Sequence, residues 1–153
     1  MSRIQLALNV SDIDEAVGFY SRLFGAEPAK RRPGYANFAI ADPPLKLVLI
    51  EGVGEPGTLN HLGVEVPSSG DVATEAARLG REGFELRHEK GVSCCYAVQD
   101  KFWVAGSDRR DWEIYTVLAD APELAPKPRE EASACCSSDD DASCCATDVS
   151  SPR

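Results

Sequence analysis

Two seven-residue stretches decide how this chain reads: Ile4-Gln5-Leu6-Ala7-Leu8-Asn9-Val10 and, 56 residues on, Asn60-His61-Leu62-Gly63-Val64-Glu65-Val66. Each alternates apolar with polar or small residues, the period of a half-buried strand. Each is followed by a capping signal and an amphipathic helix. In the first copy Asp12 and Glu15 form a capping-box pattern, and Ile13, Ala16, Val17, Tyr20, Leu23 and Phe24 follow at helical spacing until Gly25 stops the helix. In the second copy Ser69 or Asp71 is expected to cap a helix that turns Val72, Ala76 and Leu79 inward. Strand-like runs then close each copy. They are Tyr35–Ala41 and Leu45–Glu51 in the first, around the turn Asp42-Pro43-Pro44, and Phe102–Gly106 and Trp112–Val117 in the second. The repeat predicts an α+β domain over 1–118 built of two βαβββ modules, about 1–52 and 60–118, that share one cleft. The later strands match at an offset near 67 instead of 56, so the second copy carries about eleven extra residues upstream of Phe102, among them Cys94-Cys95. An added loop bearing a thiol pair on one copy of a symmetric scaffold is where specificity is expected.

Size and composition agree with one globular unit: 153 residues with 43% apolar content can bury one core and no more. No apolar run approaches the roughly 18 residues needed to cross a bilayer. Strand-like sequence starts at once, so no signal peptide is expected. The net charge of −9 argues against a nucleic-acid surface, which needs clustered Lys and Arg. From Ala119 onward there are eight acidic residues against three basic ones and no apolar period. Residues 119–153 are therefore expected to form an acidic, disordered, Cys-containing tail.

The six cysteines come as adjacent pairs: Cys94-Cys95, Cys135-Cys136 and Cys144-Cys145. Bridging neighbours closes a strained eight-membered ring, far from the usual Cα separation of about 5.5 Å. Free thiols in a reducing cytoplasm are the better reading, and paired thiols attract soft ions. Adjacent strand side chains point to opposite faces, so Cys94 and Cys95 can hold one ion only where the backbone is irregular. The tail pairs read as accessory thiols.

Equivalent strands of two such modules surround one cleft, so residues at equivalent positions converge. Those positions are Gln5, His61, Glu113 and, at the second offset, roughly Lys46. The first three offer an amide oxygen, an imidazole and a carboxylate to a divalent ion; an ammonium has no lone pair to give. One imidazole and one carboxylate with open positions suit non-haem Fe(II). His88, the other histidine, reads as a surface residue of a short strand. Tyr96, Phe102 and Trp103 are candidate walls of an aryl pocket, with core packing as the competing reading.

Gln5 to Gly25, His61-Leu62-Gly63-Val64-Glu65-Val66 and Trp112-Glu113-Ile114-Tyr115 together resemble the ligand strands of the vicinal oxygen chelate superfamily. Most of its members have His at the first ligand position and an Asp-Pro-Asp-Gly-like turn before the Glu, where this chain has Gln5 and Asp108-Arg109-Arg110-Asp111. Those departures, together with Arg32 to Ala41, Pro43 to Glu51 and Cys94-Cys95-Tyr96-Ala97-Val98-Gln99-Asp100-Lys101, resemble the organoarsenical carbon–arsenic lyases and the related cadmium-induced proteins. The resemblance runs from about Arg3 to Val117. It implies a cytoplasmic enzyme that uses Fe(II), with dioxygen as co-substrate, to cleave trivalent methyl or aromatic arsenicals to arsenite. It also implies Gln5, His61 and Glu113 as metal ligands and Cys94 and Cys95 as the substrate clamp. Two alternatives stay open: a soft-metal binding protein for cadmium or arsenite without turnover, and another enzyme of this scaffold, such as a fosfomycin thiol transferase or a glyoxalase. A homodimer is equally compatible with the sequence.

Overall fold

A computed structural model describes residues 1–107 and 110–122. The alternating stretch of the first copy forms β1 (Arg3–Val10), and Asp12 then caps α1 (Ile13–Phe24) by accepting the Glu15 backbone N–H at 2.8 Å. Gly25 ends that helix in the left-handed region, at φ 60°, which a residue without Cβ adopts freely. The module closes with β2 (Lys30–Arg32), β3 (Tyr35–Ile40) and β4 (Leu45–Glu51). The second module repeats the order as β5 (Leu59–Glu65), α2 (Ser69–Arg81), β6 (Leu86–Cys94), β7 (Ala97–Val104) and β8 (Trp112–Asp120). Its helix cap is Ser68, one residue before the expected Ser69. Asp71 lies three residues on, donating its N–H to Ser68 Oγ and accepting that hydroxyl's proton.

The strands join one eight-stranded sheet in the order β2-β3-β4-β1-β5-β8-β7-β6. Each module contributes four strands, and the antiparallel pair β1–β5 is the seam. One sheet face is covered by the helices. There Ile13 and Val17 pack on Ala36, Phe38, Leu47 and Leu49, and Val72 and Ala76 pack on Phe102, Val104 and Ile114. The opposite face is also buried, but by different chemistry: Gln5, Asn37, Gln99, Lys101 and Glu113 are each at most 6% exposed. Buried polar groups on the helix-free face of a sheet define a partly open chamber instead of a solvated back.

Register corrects two expectations. Ala7 pairs with Val48 and the equivalent Gly63 pairs with Glu113, so the first-module counterpart of Glu113 is Val48 and not Lys46. The folded unit also runs past the expected boundary at 118. Ala119 and Asp120 pair with Val98 and Ala97, and buried Ala121 donates its N–H to the Tyr96 carbonyl at 3.0 Å. The remaining expected tail, with Cys135, Cys136, Cys144 and Cys145, lies outside the described residues.

Candidate functional site

Gln5 on β1, Gly63 on β5 and Glu113 on β8 stand side by side across three strands, and His61 lies two residues from Gly63 on the same face. Gly63 is the floor that lets its neighbours meet. A Cβ there would lie 3.0 Å from the Glu113 carbonyl oxygen and 3.3 Å from Gln5 Nε2. Above it Gln5 Nε2 sits 2.9 Å from His61 Nε2 and 3.1 Å from Glu113 Oε2, with His61 Nε2 3.5 Å from that carboxylate oxygen. The structure thus brings together the three side chains expected to converge.

The donor chemistry fits a divalent cation. His61 Nδ1 lies 2.7 Å from Asn60 Oδ1, an acceptor, so the ring proton sits on Nδ1 and the Nε2 lone pair faces the site. The Gln5 amide N–H group stands between that lone pair and Glu113 Oε2, occupying with two donated protons the place of a cation. Turning the amide about its last torsion replaces the N–H group with Oε1, and Nε2 then meets the hydroxyl of Tyr115, which now donates to Oε1. His61, Glu113 and Gln5 would then offer an imidazole nitrogen, a carboxylate and an amide oxygen to a divalent cation. Among the described residues no group of three His, Cys, Asp or Glu side chains has metal-binding geometry, as follows from an amide being the third donor.

Glu113 is 3% exposed, and burial alone would raise its carboxyl. The neighbouring His61 ring, 3.5 Å away, and the Lys101 ammonium at 2.8 Å outweigh that and hold it below the usual carboxylate range. It is therefore ionised at neutral pH and ready to ligate. Lys101 is as buried as its partner and lies 5.2 Å from the Trp103 ring centroid, with Glu89 at 3.7 Å.

The extra residues of the second copy do not form a separate loop. They lengthen the β6–β7 hairpin, whose β6 has nine residues against three in the equivalent β2. At its tip Cys95 and Tyr96 take φ 54° and 58°, the two-residue turn of left-handed geometry that matches sheet twist. This turn removes the obstacle of strand alternation. Cys94 ends β6 in extended form, Cys95 turns back, and the sulfurs lie 3.3 Å apart. The tip reaches the first module: Cys95 and Tyr96 pack on Tyr35, Val48, Ala7 and Ile50, Tyr96 donates to the Pro33 carbonyl at 3.2 Å, and Lys30 donates to the Tyr96 carbonyl at 2.9 Å. The two thiols share their protons unequally. Hydrogen bonding from Cys95, helped by Lys101 and opposed by burial, draws the Cys94 thiol down to about 6. The same bond, then burial, pushes Cys95 up. At neutral pH the pair is one thiolate and one thiol.

Cys95 and the triad line one chamber of about 250 Å³, together with Tyr115 and Gln99 among others, and the Cys94 sulfur lies beside that of Cys95. The sequence model of the Glyoxalase/Bleomycin resistance protein/Dioxygenase superfamily matches residues 3–114. The chain belongs to this superfamily. Within it, the cadmium-induced protein CadI of Mycobacterium tuberculosis is 61% identical over 141 residues, covering 88% of this chain and 93% of that protein. The trivalent organoarsenical cleaving enzyme of Thermomonospora curvata is 57% identical over 136 residues, 88% of each chain. A second enzyme of that name, from Bacillus sp. strain MD1, is 33% identical over 130 residues, 84% of this chain and 81% of the other. Among solved structures, the Mn(II)-bound glyoxalase of Novosphingobium aromaticivorans superposes with TM-score 0.54 at 19% identity, over 82% of this chain and 44% of that one. At that identity the likeness is one of fold.

Of the three aromatics singled out beside the thiols, Phe102 does not face the superfamily cleft: it is fully buried in the core under α2. Trp103 packs edge-on against His61, with ring centroids 5.8 Å apart, and Tyr96 lies tilted against Tyr35 at 5.1 Å. His88 is exposed, on a strand of nine residues instead of a short one. Sequence reasoning missed Lys101, Tyr115 and Gln99. Strand alternation offered a signal, since Tyr115 is two residues from Glu113, and Gln99 and Lys101 alternate with Trp103.

Proposed function

We propose that this chain is an Fe(II)- and dioxygen-dependent lyase that cleaves the carbon–arsenic bond of trivalent organoarsenicals, methylarsenite and aromatic arsenicals, to give arsenite. The observation that carries this reading is the pair of sulfurs 3.3 Å apart, of which Cys95 lines the chamber that also holds Gln5, His61 and Glu113. Soft trivalent arsenic prefers thiolate sulfur, whereas an amide, imidazole and carboxylate set suits a hard redox metal, so substrate and metal sort by softness. Cys94, already a thiolate, attacks arsenic and displaces a hydroxide. The Cys95 proton then leaves with the second hydroxide as the second As–S bond closes the chelate. Lys101 holds Glu113 ionised, and Trp103 packs edge-on against His61. Bound at the triad, Fe(II) would supply the oxidative chemistry with dioxygen. Two relatives bear the name of this activity, at 57% and 33% identity. The free thiols of Cys94 and Cys95 support a reducing compartment, the cytoplasm, as the setting.

The CadI relatives favour a second reading, capture of a soft ion by the thiols without turnover. Anaerobic loading with Fe(II), followed by aerobic incubation with methylarsenite, separates the two. The lyase releases arsenite catalytically only when both iron and oxygen are present. Binding limited by thiol content, with no release and no need for iron, would establish capture instead.

A further inference from the structure

The Asn60 contact with His61 is the near end of a longer chain of polar groups whose far members take no part in the chemistry described so far. Thr58 Oγ1 lies 2.6 Å from the Glu55 carbonyl oxygen, and Asn9 Nδ2 lies 2.9 Å from Thr58 Oγ1. Asn60 Nδ2 is 2.8 Å from Asn9 Oδ1, and His61 Nδ1 is 2.7 Å from Asn60 Oδ1. The direction of this chain follows from its far end. A backbone carbonyl only accepts, so Thr58 gives it the single hydroxyl proton. Thr58 Oγ1 can then only accept from Asn9, which must present its N–H group there and its carbonyl to Asn60. Asn60 must in turn offer N–H to Asn9 and its carbonyl to His61. The ring proton is thereby held on Nδ1, and Nε2 keeps its lone pair toward Gln5 and Glu113.

Local structure is built for this contact. β5 carries a bulge: Ala7 pairs with His61 and Leu8 with Leu59, so Asn60 is the extra residue. In a regular strand Asn60 and His61 would point to opposite faces; a bulge re-aims one of them. Asn9 is 5% exposed, and Gly54 makes room for its amide, since a Cβ on Gly54 would lie 2.5 Å from Asn9 Nδ2.

We propose that Thr58, Asn9 and Asn60 are positioning residues that lock the His61 tautomer, with the Glu55 carbonyl as the anchor that fixes the direction of the whole chain. The inference rests on His61 being a metal ligand. Were the Asn60 amide reversed, its N–H would donate to Nδ1, and the proton would move to Nε2, where it blocks ligation.

The test uses the full chain with ¹⁵N-labelled histidine; with only two histidines, His61 and His88, assignment is direct. Long-range ¹H–¹⁵N spectra of metal-free protein, taken well above the histidine titration range, report which nitrogen carries the proton. Anaerobic titration gives the Fe(II) dissociation constant. The wild type is expected to show Nδ1–H. Asn60→Leu should shift the population toward Nε2–H and weaken Fe(II) about ten- to hundredfold, as loss of an outer-shell partner typically does. Thr58→Val, at an exposed and structurally tolerant position, should do the same by about threefold or more, and Thr58→Ser should restore both readouts. An Nε2–H tautomer in the wild type, or a Thr58→Val variant unchanged in tautomer and affinity, would overturn the lock. A His61→Ala variant that binds Fe(II) as tightly as the wild type would instead overturn the metal reading beneath it.

Discussion

At the residue scale the site turns on groups whose charge state is set by contacts. The convergence of Gln5 and His61 was legible because the 56-residue repeat makes one of the two histidines the equivalent of Gln5. Gly63 was not, because the need for a missing side chain arises only when β1, β5 and β8 lie side by side. His61→Ala and Glu113→Ala should each abolish Fe(II) binding measured anaerobically, and Gln5→Ala should weaken it with some binding left. Full affinity in His61→Ala would move the metal elsewhere. Gly63→Ala should separate Gln5 from Glu113 and lower Fe(II) affinity at least as much as Gln5→Ala; no change would mean the floor yields. The thiols give a pH signature. With the Cys94 thiol drawn down to about 6, its alkylation by iodoacetamide should rise through that pH and level off above it, because the thiolate is the reactive form. Removing the Cys95 donor in Cys95→Ala should move the midpoint up, toward roughly 8.5. A midpoint that stays put would mean the Cys95 hydrogen bond does not stabilise the thiolate.

At the element scale the β6–β7 hairpin distinguishes this chain from a bare two-module scaffold. Its added residues were visible in the sequence as a mismatch of offsets, but not their form, because a hairpin extension and a loop insertion have the same length. Left-handed backbone at Cys95 and Tyr96 costs about 1–2 kcal/mol per residue and must be offset by contacts. Those contacts are Tyr96 on Tyr35, the Lys30 and Pro33 hydrogen bonds, and the Ala121 N–H on the Tyr96 carbonyl. Tyr96→Ala keeps the unfavourable backbone and loses the ring contacts, so it should lower stability to urea by about 2 kcal/mol. The end of β8 supports the same tip. Stopping the chain after Val117 removes the pairing of Ala119 and Asp120 with β7 and the Lys30–Asp120 ion pair, whereas stopping after Pro122 keeps them. The shorter chain should melt several degrees lower than the longer one and hold phenylarsine oxide less tightly. Equal melting and binding would mean the β8 end does not brace the thiols.

At the scale of the whole molecule, duplication explains why so much of the fold and its shared cleft was legible, and why the deep burial of the cleft's polar wall was not. Both copies wrote their strand and helix periods plainly, and the paired modules follow from them. Alternation alone, however, assigns polar residues to solvent, whereas here the second sheet face is buried around Gln5, Gln99, Lys101 and Glu113. Burial of that face comes from the two modules and the hairpin tip meeting over it, a long-range effect absent from any local pattern. In the proposed reaction sulfur serves arsenic and the hard ligands serve the metal. Losing either sulfur should therefore cost the chelate and not half of it, because the second As–S bond forms at high effective concentration. The most direct test is arsenite release from methylarsenite by the iron-loaded wild type, Cys94→Ser and Cys95→Ser in air, with Fe(II) affinity measured alongside. The prediction is catalytic release by the wild type and none by either variant, at unchanged Fe(II) affinity. Normal release by either serine variant would contradict the dithiol clamp on which the assignment of this site rests.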